Sequence, residues 1–305
     1  MLTVVPAAGE LQPAALTLLY CRLPRGERER QLAHLLESVQ RADFDLDNLL
    51  IALRDGNPVG ALLAVVRPGR MAFLWPPVLH PGESGTLAAE ELLRTAAGRL
   101  DAAGVVVTQC LLEKDDAVGR EVLNASGFPY STDILLLSRP VDDLEDLPAA
   151  LDESLTIRAY DLSSHDEFKA VIERTYIDTL DCPGLSSCRS AEDALTSYRA
   201  ASNFDGALWQ LGCIDGKGVG VLLEQEHRER LAREIVYLGI VPEARRKGLG
   251  RALLVRSLNA ANAAGIESCE VAVDSENRYA LNLYRALGFE EQRRFAVHLR
   301  LRAPY

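Results

Sequence analysis

The 305-residue chain has no CxxC pair, no HExxH or HxH spacing and no uncharged apolar run near the ~20 residues a bilayer crossing requires. Its six cysteines (Cys21, Cys110, Cys182, Cys188, Cys213, Cys269) are scattered. Neither a metal site nor a disulfide framework is therefore expected, and reduced thiols of a cytoplasmic protein are. The opening MLTVVPAAGELQPAALTLLY lacks a basic stretch and carries Glu10 among its apolar residues, so it does not read as a signal peptide. Positive charge is also in short supply, 33 Lys and Arg against 44 Asp and Glu, for a net charge of −11. That balance argues against nucleic acid or an anionic membrane as partner. It suits ordinary solubility and is compatible with a cationic substrate.

What is present is a globular composition, 48% apolar and 25% charged, enough for one large domain or two ordinary ones. The acidic, proline-bearing stretch from Ser138 to Ser154 reads as a linker, and the same order of elements recurs on either side. In the second half the alternating SLTIRAY is followed by helical stretches from His165 and from Ala191. Three strands come next (ALWQLGCID, GVGVLLEQE, REIVYLGIV), then a helix with Leu249, Leu253, Leu254 and Leu258 at helical spacing. SCEVAVD, a helix ending at Gly288, and FAVHLRL complete the half. The first half repeats this order, with MAFLWPPVL read as one strand, and Gly127–Phe128 aligns with Gly288–Phe289. A diverged internal repeat is expected. Its domains are 1–140 and 154–305, joined by a linker at 141–153.

The most informative segment is EIVYLGIVPEARRKGLGRALL. A strand ends at Pro242, and the run Arg245, Arg246, Lys247, Gly248, Leu249, Gly250, Arg251 leads directly into a helix. Glycines allow a tight turn and a close backbone approach. Free amides at the helix start, the positive end of its dipole and basic side chains then make an anion site suited to a pyrophosphate. A P-loop needs four residues between its glycines and a following Lys-Ser/Thr, which are absent. A dinucleotide fingerprint needs a third glycine where Leu253 stands, although Asp274 does end the next strand as that motif requires.

Here the chain resembles the GNAT superfamily of N-acetyltransferases. Arg245-x-x-Gly248-x-Gly250 matches the superfamily's coenzyme A loop after a strand ending in Val-Pro. Asn277-x-x-Ala280-x-x-Leu283-Tyr284-x-x-Leu287-Gly288-Phe289 matches its second motif at the usual distance. The tandem layout is similar to that of mycothiol synthase-like proteins. The resemblance implies an α/β (α+β) fold of two tandem domains, each a mixed, splayed, mostly antiparallel sheet flanked by helices. It also implies acetyl-CoA as co-substrate, with no metal. The pyrophosphate would rest on amides from Arg246 to Arg251, the pantetheine arm beside Leu238, Ile240 and Val241, and Asn277 would hydrogen-bond to the cofactor.

Acyl transfer from a thioester needs a neutral amine, a stabilised oxyanion and a proton for the departing thiolate. The resemblance implies a backbone N–H at Leu238 or Ile240 for the second, and Tyr284 as the proton donor, a phenol with pKa of ~10 being well matched to a thiolate. Glu234 is the candidate general base. Strict alternation would set it on one face with Val236, Leu238 and Ile240, and apolar company would raise its pKa. Asp181 and Cys182, in the loop after the first helix of the half, are candidate contacts for the amine, with Tyr237 a further one. Cys182 has no neighbouring histidine to activate it as a nucleophile.

At the corresponding place the first half offers LHPGESGTLAAEELL, with no arginine or lysine and with Glu83, which would repel a pyrophosphate. Leu123 stands where Tyr284 stands in the second half. A silent first domain is expected. The reading is an N-acetyltransferase acting on a small-molecule amine, as a monomer with internal pseudo-symmetry or a homodimer. Two alternatives are an acetyl-CoA-binding module without turnover and a protein N-acetyltransferase.

Overall fold

The computed structural model describes residues 1–41, 44–83, 85–141, 155–182, 184–185 and 188–302. In chain order the elements are β1 (Leu2–Pro6), α1 (Leu11–Leu19), α2 (Arg25–Gln40), β2 (Leu49–Arg54), β3 (Asn57–Arg67), β4 (Met71–Leu74), β5 (Val78–Leu79), α3 (Leu87–Ala102), β6 (Val107–Glu113), α4 (Ala117–Ala125) and β7 (Tyr130–Pro140). They continue with β8 (Leu155–Ala159), α5 (His165–Thr175), α6 (Ala191–Arg199), β9 (Gln210–Ile214), β10 (Lys217–His227), β11 (Ala232–Ile240), α7 (Leu249–Ala263), β12 (Ser268–Asp274), α8 (Arg278–Ala286) and β13 (Glu290–Leu301). The fold is the expected mixed α/β one. Within each unit every strand pair is antiparallel except β4 with β6 and β11 with β12. MAFLWPPVL, expected as one strand, is broken between β4 and β5, where Pro76 and Pro77 supply no N–H to a ladder. Of the proposed linker only Val141 lies within the described residues.

The chain divides into two compact units, and not at a single point. One contains Met1–Ser131 and Phe295–Tyr305, the other Thr132–Arg294. This differs from the sequential domains 1–140 and 154–305, because each half gives its last strand to the other unit. In the first unit the sheet order is β1-β2-β3-β4-β6-β13, with β5 also on β3. Phe295–Leu301 of β13 pair with Glu113–Val107 of β6. In the second the order is β7-β12-β11-β10-β9-β8, and Ile134–Pro140 of β7 pair with Asp274–Ser268 of β12.

The sheet of the second unit is buried on both faces. Leu254, Leu258, Leu281 and Tyr284 of α7 and α8 pack with Ile235 and Val271 on one side. Phe168, Ile172 and Leu195 of α5 and α6 pack with Trp209, Leu211, Val221 and Leu223 on the other. α8 opens on Asn277, whose Oδ1 accepts from the Ala280 N–H at 3.2 Å, and closes at Gly288 with φ +80°. α7 has no side-chain cap: Gly248 stands at its start with φ +81°, where a Cβ would be strained.

Candidate active site

The parallel ladder between β11 and β12 runs from Ala232 with Ser268 to Ile235 with Val271 and stops there. β11 continues to Ile240 along β10, while β12 continues to Asp274 along β7. The strands part, and a cleft of about 830 Å³ opens between them. Parting is helped by a bulge. Leu223 of β10 faces Tyr237, but Glu224 faces Ile235, so Val236 is the extra residue. The bulge corrects the strict alternation expected here: Leu238 packs with Ile235, whereas Val236 and Tyr237 pack together toward α5.

Past the bulge, β11 turns backbone groups into the cleft. The Val241 N–H donates to Val219 O on β10 at 3.0 Å, so the Ile240 and Leu238 amides point the opposite way. Val241 itself is buried, does not line the cleft, and has its amide spent. Gly239 permits α5 to close on this strand: a Cβ there would meet the Thr175 side chain at 2.8 to 2.9 Å.

The loop into α7 presents its amides without acceptors. The N–H groups from Arg246 to Arg251 donate to nothing among the described residues, and the helix bonding begins with Ala252 N–H to Gly248 O at 2.9 Å. Arg246 has φ +62° and Gly248 φ +81°, which turns successive amides toward one point, an anion nest opening a helix. Arg246, Gly248, Leu249, Gly250 and Arg251 line the cleft; Lys247 is exposed outside it. Arg245 does not offer its charge to this nest. Its Nε donates to Ile240 O at 3.0 Å, its Nη2 to Thr175 O at 3.0 Å and Ile177 O at 2.7 Å, and its Nη1 to Asp178 O at 3.5 Å. The guanidinium ties the loop to the end of α5, a bracing role that the motif alone does not reveal.

Tyr284 lines the cleft from α8, its ring edge-on to Phe289 at 5.4 Å. Its hydroxyl has no hydrogen-bond partner among the described residues, and burial, with Asp181 adding to it, pushes its pKa up. Asn277 also lines the cleft. Tyr237 lines it too, with its hydroxyl 2.6 Å from Thr175 Oγ1 and its pKa raised, chiefly by burial. Asp181 lines the cleft and is exposed there. Desolvation by the surrounding cleft, with the Asp274 charge adding to it, pushes its carboxyl up to about 6. Cys182 is buried behind the lining at φ +42°, its N–H donating to Asp274 Oδ2 at 2.9 Å.

Asp274, at the end of β12, is a fastening. Beyond Cys182 it accepts from Thr132 Oγ1 at 2.6 Å and from the Glu276 N–H at 2.9 Å. Glu234 lies outside the cleft lining, beside the closed part of the ladder, with Oε2 at 2.9 Å from His227 Nε2. Sequence reasoning missed Arg189, Tyr198 and Tyr176, which line the cleft from the irregular segment, α6 and the end of α5. No motif marks them; position in the fold alone does. Among the described residues no group of His, Cys, Asp and Glu could hold a metal ion, and no helix is long and apolar enough to cross a membrane.

A parted parallel pair, an uncapped glycine turn and a tyrosine lining the gap make a cleft suited to an elongated ligand with an anionic end. The family model described as "Acetyltransferase (GNAT) family" matches residues 172–289, and the comparisons together support a tandem GNAT N-acetyltransferase for this chain. Its relatives narrow the likeness. It is 27% identical over 257 residues to the mycothiol acetyltransferase of Thermomonospora curvata, covering 84% of this chain and 82% of that one. It is 29% identical over 285 residues to that of Thermobispora bispora, covering 87% and 92%. With the Streptomyces avermitilis counterpart the match is narrower, 26% over 173 residues, 57% of this chain and 55% of the other. Among solved structures, a GCN5-related N-acetyltransferase from Sphaerobacter thermophilus shares the fold at TM-score 0.64 and 19% identity, covering 98% of this chain and 95% of that one. A tandem GNAT protein from the clavulanic acid biosynthesis pathway does so at 0.58 and 14%, covering 98% of each.

Proposed function

We propose that the chain transfers the acetyl group of acetyl-CoA to the amine of a small-molecule acceptor, in the cleft of the second unit. The observation that carries this is the run of unsatisfied amides from Arg246 to Arg251 at the start of α7, ready for a diphosphate. Amides left without acceptors are costly unless a ligand or water meets them. Beside them the Leu238 and Ile240 amides face the gap, positioned for a pantetheine arm and for the thioester oxygen as it gains charge. Asn277 would hold the arm from α8.

In this reading the amine nitrogen attacks the thioester carbonyl carbon, the new C–N bond forms, the C–S bond breaks, and the sulfur leaves with a proton from Tyr284. Burial that keeps the Tyr284 phenol protonated fits it to donate. The incoming amine must lose a proton. Asp181, which lines the cleft and with a pKa of about 6 is mostly ionised at neutral pH, would take it. Glu234, held by His227 outside the lining, would reach the amine only through water.

The test is thiol release from acetyl-CoA with a panel of small amines, alongside coenzyme A binding. Wild type should turn over at least one amine. Tyr284→Phe should lose about 10²- to 10⁴-fold in kcat with coenzyme A affinity little changed. Tight binding without turnover on any amine would replace the enzyme reading with a binding module. No affinity for coenzyme A would remove both.

A further inference from the structure

Arg189 stands just before α6, its backbone fixed by its N–H donating to Leu185 O at 2.8 Å. Its guanidinium lies 5.3 Å from the centre of the Tyr198 ring, and both residues line the cleft. The Nε and Nη2 atoms are enclosed and have no acceptor. No carboxylate of the described residues pairs with this arginine. Enclosed guanidinium N–H groups are nearly always satisfied, since leaving one unmet costs about 1–3 kcal/mol. Arg245, which also lines the cleft, is spent on backbone carbonyls. Arg189 thus borders the cleft as a half-buried cation whose near neighbour is the Tyr198 phenol, which it stabilises in its charged form, and no carboxylate among the described residues answers its charge.

Asp181 borders the same space. Its charge acts on the Tyr176 and Tyr198 phenols, as does the opposite charge of Arg189. Yet no ion pair or hydrogen bond joins the two among the described residues, and the charge felt by the Asp181 carboxyl is that of Asp274. An acid and a guanidinium that share one stretch of wall without pairing are complementary to a small molecule carrying both charges. The planar fork of an arginine matches a carboxylate best.

We propose that the acceptor is an amine bearing a nearby carboxylate, with Arg189 holding the carboxylate and Asp181 facing the amine. The proposal rests on the acetyl-transfer reading above and adds the acceptor's chemical class. A simple alkylamine would leave the arginine unmet, and a site with an unmet charged donor rejects such ligands strongly.

The experiment compares the free L-amino acids with their α-carboxamides, spermidine and O-phosphoethanolamine, using acetyl-CoA and the full chain. At least one acid should exceed its own carboxamide by about 10²-fold in kcat/KM. Arg189→Gln should raise KM for that acid about 10- to 100-fold and collapse the acid-to-amide ratio, with a smaller change in kcat. Arg189→Lys, which keeps the charge without the fork, should fall between. The wild-type ratio needs no variant, so a poorly folding Arg189→Gln leaves the idea exposed. Carboxamides, spermidine or O-phosphoethanolamine turned over as well as the acids, or no acid turned over at all, would overturn it. Coenzyme A affinity measured in parallel separates the two failures: if it is intact the acceptor class alone is wrong, and if it is absent the acetyl-CoA reading has fallen first.

Discussion

The two units are built on one plan and differ where a ligand would sit. In both, a parallel strand pair precedes a helix whose N-terminal asparagine or aspartate bonds the third amide on: Asn277 to Ala280, Asp116 to Gly119. In the second unit β11 runs on beyond its parallel ladder and leaves the gap. In the first, β4 pairs with β6 along its whole length, Met71 to Leu74, and the prolines then end it. The turn into α7 keeps its amides open. The turn into α3 spends some of its own, with Glu83 N–H on His80 O at 2.8 Å and Gly82 N–H on His80 Nδ1 at 3.1 Å. There the Glu83 carboxylate pairs with Arg54, and Glu90 in the first turn accepts from Thr86 Oγ1 at 2.6 Å. Leu123 is fully buried where α8 has Tyr284. A shared scaffold keeps its packing easily. A site persists only where amides, charges and a phenol are all retained.

The severest way to break the comparison is to cut the chain where the sequence suggests. A fragment of residues 154–305 lacks β7, so β12 would have an open edge and Asp274 would lose Thr132. We expect no cooperative unfolding transition and no turnover, whereas 132–294 should retain coenzyme A binding. Thermal melts of the two fragments decide it. Equal stability would mean that strand exchange matters little.

A milder change writes one feature of the first unit into the second. Arg251→Glu puts an acid in the first turn of α7, as Glu90 sits in that of α3. Losing one charged contact and adding a repulsion should weaken coenzyme A binding by about 10- to 100-fold, with the melting temperature nearly unchanged. Titration calorimetry reads this directly, and unaltered affinity would move the diphosphate away from α7.

What the sequence discloses is what is local. The Arg245–Arg251 turn and the Asn277 cap each depend on a few adjacent residues, and glycine at φ +81° leaves a visible mark. Strand exchange leaves none: TDILLLS and FAVHLRL alternate in the same way whichever sheet receives them. The Val236 bulge is equally silent, because a single extra residue in a strand changes no pattern until its partner is known. Arg245 belongs to the motif that points to cofactor binding, but its charge goes to carbonyls of the α5 end that are distant in sequence. Arg189 is one arginine in an irregular segment, and only the fold sets it against Asp181.

The smallest effect concerns the sheet interior. Glu224 on β10 is fully buried, its Oε1 accepting from Ser257 and its Oε2 from Gln210 Nε2 at 3.4 Å, while the inner stretch of β3 from Leu62 to Val65 is apolar throughout. Burial pushes the Glu224 carboxyl up to about 7, against the pull of Ser257 and Arg233. A carboxyl raised in the folded state holds a proton that the unfolded chain has already lost. Its favourable contribution is therefore complete below the unfolded value near 4.5 and disappears as pH climbs through about 7. Glu224→Gln cannot ionise. It should match wild type near pH 4 and exceed it at pH 8 by on the order of 3 kcal/mol. Denaturant melts across that range test it, and parallel stability curves would show that the carboxyl titrates in the folded protein as it does in the unfolded chain, so that its burial sets no difference between the two sheets.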